Sequence, residues 1–227
     1  MQLGKTTKSR RGETKRGYDD ACGLAHALEL VGERWALLVM RELMLGPRRF
    51  SGLKADLPGI SANVLAQRLA ELEERGLVRR TRLPPPASVQ VYEATDWGLD
   101  AAPLIRALGK WAVRSTRHDP GQQVSPVSIM MSMQTMFDAK AAADFAPRAG
   151  FLFGDVGYLA EPREGEIHVE RSDLEGCDFV VATTPEELGA VLYDDAPLET
   201  LAISGDTELA RRFVTLFTLP PKVGPAG

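Results

Sequence analysis

The sequence predicts an α+β chain in two parts: a mainly helical first half carrying one short β-hairpin, and a second half of mixed strands and helices. Three observations predict it. Leucines and other apolar residues spaced by three and four fill residues 21–76; alternating stretches such as "VQVYEAT" and "EIHVER" mark strands; and the charge divides near His118. Residues 1–118 hold 20 Lys and Arg against 13 Asp and Glu, a net of +7, whereas the remainder holds 7 against 18, a net of −11. The first half therefore suits a polyanionic partner and the second does not. With 227 residues, 44% of them hydrophobic, the chain is long enough for two cores.

Gly4 to Gly17 carries Lys5, Lys8, Arg10, Arg11, Lys15 and Arg16 with scarcely an apolar residue, so residues 1–17 are expected to form a disordered basic arm, either solubilising or DNA-contacting. From Ala21 a first helix places Leu24, Ala27, Leu28 and Val31 on one stripe and ends at Gly32. The second, in "ERWALLVMRELMLG", aligns Trp35, Leu38, Val39 and Leu43 and closes at Gly46 and Pro47. "RFSGLKADL" supplies a helical turn or two before the Pro58-Gly59 turn. Ser61 then caps a longer helix that Gly76 ends.

At 100° per residue, Leu65, Leu69 and Leu72 of that helix share one face, and the opposite direction holds Asn63, Gln67, Ala70 and Glu74 with Ala66 on the flank. Short and amide side chains on an outward face suit a DNA major groove, where amides can pair bidentately with adenine. Arg68 lies beside the leucines and is expected in an ion pair or on a phosphate. "LVRRTR" and "VQVYEAT" form a hairpin whose tip, with Pro84, Pro85 and Pro86, must project as a loop. Arg79, Arg80 and Arg82 on that ribbon suit phosphates or the minor groove. A helix from about Asp96 to Ser115, bent early by Pro103, carries Trp97, Leu104, Leu108 and Trp111. That is more apolar surface than a small winged domain buries, so a dimer seam is expected, the alternative being packing within the chain.

The run from Cys22 through Trp111, with "GERWALLVMRELMLGPRRFSGLKADLPGISANVLAQRLAELEERGLVRR" and "VYEATDWG", resembles the HxlR-type winged helix-turn-helix transcriptional regulators, relatives of the MarR group. The resemblance implies a homodimer whose paired recognition helices enter successive major grooves of a pseudo-palindromic operator, with half-sites about 10 base pairs apart. It points to Ser61, Ala62, Asn63, Ala66, Gln67, Arg79, Arg80 and Arg82 for DNA, and to Trp97, Leu104, Leu108 and Trp111 for dimerisation. Two departures stand out. Relatives commonly place a basic residue just after the serine that starts the recognition helix, where this chain has Ala62 and Asn63, and they often begin with Cys-Pro, where Cys22 is followed by Gly23. Some relatives use that cysteine as an oxidant sensor, which requires a stabilised thiolate.

In the second half "VSIMMSM" reads as a strand and "TMFDAKAAADFA" as a helix, followed by strands in "FLFGDVGYLAEP", "EIHVER" and "CDFVVAT". "TTPEELGAVLY" opens with a capping box from Thr184 to Glu187, and "DTELARRFVTLF" closes as an amphipathic helix. The order of these last elements resembles sterol-carrier-protein-like domains, which implies an apolar tunnel for a hydrophobic small molecule. The fold class expected is thus α+β, with a winged helix-turn-helix domain over residues 18–118 and a sterol-carrier-protein-like domain over 122–220. Met131, Met133, Phe137, Phe145, Phe179, Phe213 and Phe217 are the candidate pocket, although the same residues would equally build a plain core.

Enzyme chemistry finds no support in the spacing. His26, His118 and His168 lack partners at metal-ligand spacing, the glycines at 150, 154 and 157 miss the dinucleotide pattern, and neither a phosphate-loop nor a GxSxG motif occurs. Cys22 and Cys177 form no CxxC pair, so reduced thiols are expected. No apolar run reaches the roughly 18 residues of a membrane span. The expectation is a cytoplasmic regulator with no cofactor, no metal and no membrane partner, modulated by a hydrophobic effector. The alternatives are a switch at Cys22, or a lipid or metabolite carrier that uses the winged unit only for assembly.

Overall fold

The computed structural model describes residues 17–224, so the expected basic arm lies, apart from Gly17, outside the described residues. Helices α1 (Gly23–Val31), α2 (Ala36–Leu43), α3 (Phe50–Asp56) and α4 (Ala62–Glu74) lead into the antiparallel hairpin β1 (Val78–Arg82) and β2 (Gln90–Ala94). Val39, Met40 and Leu43 of α2 meet Leu53, Leu57, Leu65, Leu69, Leu72, Val78 and Tyr92 in one core. Both ends of α4 are set locally. The Ser61 hydroxyl accepts from the Val64 N–H at 3.2 Å, and Gly76, at φ 73°, turns the chain so that the Leu77 N–H reaches the Leu72 carbonyl at 3.0 Å. The Thr95 hydroxyl donates to the Gly76 carbonyl at 2.7 Å and ties the hairpin to the end of α4. At Gly98 a Cβ would stand 2.1 Å from the Leu77 carbonyl oxygen, so only glycine fits there.

The helix expected over Asp96–Ser115 is two helices, α5 (Asp96–Leu99) and α6 (Ala102–Ala112). Pro103 has no N–H to donate and its ring clashes with a preceding carbonyl, so the chain restarts with Pro103 in the first turn of α6.

Beyond it, α7 (Pro126–Met136) packs on a five-stranded sheet of β3 (Ala149–Phe153), β4 (Val156–Arg163), β5 (Glu166–Arg171), β6 (Phe179–Ala182) and β7 (Ala202–Gly205), in the order β5-β4-β3-β6-β7. Only β3 and β6 run parallel. Helix α8 (Pro185–Tyr193), with the capping box expected at Thr184 and Glu187, links β6 to β7, and α9 (Thr207–Val214) follows.

Two expectations fail in this half. "VSIMMSM" is α7, not a strand: Ser125 caps it, Pro126 opens it, and Val127, Ile129, Met130, Met131, Met133 and Met136 are all buried, which erases the polar face that would have revealed a helix. "TMFDAKAAADFA" is no continuous helix. Phe137 bridges to Phe217 as extended chain, the Asp138 carboxylate accepts from the N–H groups of Lys140 and Ala141, and Asp144 takes φ 59°.

The two cores adjoin. Met44 and Ile105 pack against both, and the Ser125 hydroxyl donates to Glu42 Oε1 at 2.7 Å while Arg41 Nε donates to the same oxygen at 2.9 Å. A C-terminal strap crosses back as well: the Val223 N–H donates to the Arg114 carbonyl at 2.8 Å and Lys222 Nζ to the Val113 carbonyl at 2.9 Å, just beyond α6. Glu42 is 0% exposed, and burial pushes its carboxyl above the usual range against the opposing pull of Arg41 and Ser125. A raised folded value means stability that is present below the ordinary carboxylate pKa and lost as the pH climbs through the raised one. Denaturant titrations of Glu42→Gln and the unsubstituted chain should therefore show the variant gaining relative stability as the pH rises above the ordinary carboxylate pKa of about 4. A constant or shrinking difference would contradict this.

Candidate nucleic-acid interface

Burial of Leu65, Leu69 and Leu72 fixes the rotation of α4 about its axis and leaves Ser61, Ala62, Asn63, Ala66 and Gln67 exposed on one side. The Asn63 amide makes no hydrogen bond among the described residues. Gln67 does, its Nε2 donating to Glu71 Oε1 at 3.0 Å. Arg68 is buried, with Nη1 2.5 Å from Glu71 Oε2 and 3.5 Å from Glu33 Oε2, so of its two expected roles the structure favours the ion pair.

The hairpin arginines are exposed but engaged. Arg79 Nε donates to Glu93 Oε1 at 2.7 Å; Arg80 meets Glu73 at 3.2 Å and lies over the Tyr92 ring; Arg82 Nε donates to the Ser88 carbonyl at 3.0 Å. Because side chains alternate along a strand, Arg80 and Arg82 share a face that Arg79 leaves. The carboxylates at Glu71, Glu73 and Glu93 escaped the sequence reading. Helical spacing gave a signal for Glu71, four residues after Gln67, whereas Glu93 faces Arg79 only through the hairpin register.

A second surface is apolar. Trp97, Leu104, Leu108 and Trp111 are 51%, 71%, 49% and 71% exposed, and α6 has no buried residue. Leu24 and Leu28 of α1 and Leu38 of α2, expected on core-facing stripes, are exposed too. So many uncovered large side chains exceed the scatter of a monomer surface.

The candidate pocket residues pack together. Met131, Met133, Phe179, Phe213 and Phe217 lie in the closed core, with Phe213 5.6 Å from Phe179 and 5.3 Å from Phe217 between ring centres. The apolar tunnel expected of them is filled by their own packing. Phe145, at 6% exposure, belongs to the same core and Phe137 packs against it, and both also border an open cleft of about 240 Å³ together with Ala142, Pro162 and Glu166. Cys22 is exposed at the start of α1, where the N–H groups of Leu24 and Ala25 hold its thiol below the ordinary value. No helix among the described residues is long and apolar enough to cross a membrane.

Residues 30–120 match the family described as HxlR-like helix-turn-helix. The HTH-type transcriptional regulator YvaP of Bacillus subtilis is 38% identical over 86 residues, 38% of this chain and 80% of that protein. YodB, an HTH-type transcriptional regulator of the same organism, is 36% identical over 86 residues, 38% of this chain and 77% of that protein. The solved reduced form of YodB from B. subtilis has 33% identity and a TM-score of 0.38, covering 43% of this chain and 98% of that one.

Arg68→Met should separate an internal ion pair from a phosphate contact. Removing the buried guanidinium is expected to cost about 1–3 kcal/mol of unfolding free energy, while the salt dependence of DNA affinity stays as it was. A slope reduced by about one unit would make Arg68 a phosphate ligand instead.

Proposed function

The chain belongs to the HxlR-like helix-turn-helix family of transcriptional regulators, and from that premise we propose that it binds operator DNA as a homodimer, reading bases with α4. The observation that carries the reading is the outward face of α4, where Ser61, Ala62, Asn63, Ala66 and Gln67 stand clear of the chain's own core. In this reading Asn63 and Gln67 meet base edges. Arg80 and Arg82 follow the backbone or the minor groove beside it, and Arg79 reaches a phosphate once it exchanges Glu93 for it. Trp97, Leu104, Leu108 and Trp111 form the dimer seam with the exposed leucines of α1. A two-fold axis there would set half-sites about 10 base pairs apart on a pseudo-palindrome.

Residues 18–118 act as the DNA-binding and dimerisation domain, and residues 122–220 as a sterol-carrier-protein-like domain that admits a hydrophobic effector. The succession of β6, α8, β7 and α9 supports the second part, and the cleft beside Phe137 and Phe145 is where the effector would enter. Glu42, Met44 and Ile105 are the residues through which its occupancy would be felt in the first core.

Changing Asn63 and Gln67 together to alanine should lower the preference for operator over random duplex by about 1–3 kcal/mol per lost bidentate contact. Competition binding at fixed salt measures it, and unaltered discrimination would remove these residues from the reading face. Leu104→Asp with Leu108→Asp should convert the dimer to a monomer in sedimentation equilibrium and abolish two-half-site binding. A double variant that remains dimeric would place the seam elsewhere.

A further inference from the structure

We propose that Glu71 is a positioning residue that fixes which end of the Gln67 amide faces each side of the groove, and so selects a base that presents an amine in the major groove, adenine or cytosine, over guanine or thymine. The inference rests on the reading of α4 given above and adds to it a polarity for one contact.

A glutamine amide is ambiguous as a reader. Its carbonyl accepts and its NH₂ donates, so a freely flipping amide can satisfy adenine one way round and the acceptors of guanine or thymine the other. On α4 that freedom is removed. Glu71 lies one turn after Gln67, and an ionised carboxylate can only accept, so the end of the amide turned toward it must be the nitrogen; Nε2 stands 3.0 Å from Glu71 Oε1. The planar amide then holds its carbonyl away from Glu71, toward the N-terminal part of the helix.

Glu71 is itself anchored. Its second oxygen lies 2.5 Å from Arg68 Nη1 as an ion pair without hydrogen-bond alignment, and Arg68 is 6% exposed with Glu33 3.5 Å away. The series thus runs from buried Arg68, flanked by the half-exposed Glu33, through Glu71 to exposed Gln67 on the outward side of α4. Only the last member faces the groove. The fixed carbonyl accepts from adenine N6 or cytosine N4, and adenine is preferred because its N7 can take the amide hydrogen that Glu71 leaves unused. Guanine in the same pose would set its O6 against the amide carbonyl, acceptor against acceptor, and thymine O4 would likewise leave the carbonyl without a donor, so each can use only the one free N–H where adenine forms two bonds. Turning the amide to suit them breaks the bond to Glu71 and sets the carbonyl against the carboxylate.

Site selection on random duplexes with the full chain tests this, comparing the unsubstituted protein with Gln67→Ala, Glu71→Ala and Glu71→Gln. One position per half-site should carry adenine, or failing that cytosine, and lose its preference in Gln67→Ala. At that same position both Glu71 variants should admit guanine or thymine, with adenine's advantage over guanine falling on the order of tenfold. Glu71→Gln keeps the size of the side chain but can donate as well as accept, so it permits the turned amide without emptying the site. A merely structural Glu71 would shift the unfolding midpoint and the affinity for all sequences together and leave the base ratio alone. Selection of guanine or thymine by the unsubstituted protein at the Gln67-dependent position overturns the proposal. So does an unchanged base ratio in both Glu71 variants, and in that case base reading by Gln67 survives. No change in Gln67→Ala removes the reading by Gln67 itself.

Discussion

The docking of Leu65, Leu69 and Leu72 onto α2 and the hairpin is the constraint on which the rest of the first core depends. A helix surface is defined by rotation, and successive residues differ by 100°, so moving the buried stripe by one position would replace every outward side chain. Three aliphatic side chains at 1% exposure or less, each worth about 1.5–3 kcal/mol of burial, make that rotation unequivocal. Ser61 and Gly76 then set where the helix begins and ends, and Arg68, held between Glu33 and Glu71, closes the flank of the stripe. Everything on the outward face follows from this packing, including the direction in which the Gln67 amide is turned.

The same economy links the two cores. Contacts that join them fall on α2 and α6: the Ser125 hydroxyl on buried Glu42, the shared packing of Met44 and Ile105, and the C-terminal strap at the end of α6. A buried carboxylate is costly unless it is hydrogen-bonded, and Glu42 receives bonds from both halves, Arg41 in its own helix and Ser125 at the cap of α7. Helix α2 is also the element against which α4 packs. The junction between the two cores and the packing of α4 therefore share one helix, α2.

Much of the first half was legible because its signals are local. The cap at Ser61, the leucine spacing of α4, the glycine at its end and the alternation in the hairpin each act within a few residues, and the family resemblance fell on the same segment. What could not be read depended on partners far along the chain. Leu38 repeats in register with Val39 and Leu43 yet stays exposed, because no described element covers that flank of α2. Buried on nearly every side, α7 shows no helical period, and the alternation of Ile129, Met131 and Met133 mimics a strand. Residues 137–146 have helical composition, but pairing of Phe137 with Phe217 and the left-handed Asp144 hold them in turns. The methionine and phenylalanine cluster was equally compatible with a pocket or a core, and only side-chain packing shows that it builds the core, with Phe137 and Phe145 at the edge that borders the cleft. On the hairpin, composition displayed three arginines, while their carboxylate neighbours emerged from the register and the fold.

The central claim is that the outward face of α4 is the surface that meets DNA. Site-specific photocrosslinking measures this directly, with a photoreactive side chain placed at position 63 and, as a control, at position 187 on α8. The account predicts efficient crosslinks from position 63 to bases of the bound duplex, in both halves of the site, and none from position 187. Saturated binding without any crosslink from position 63, or crosslinks from position 187 alone, would contradict it.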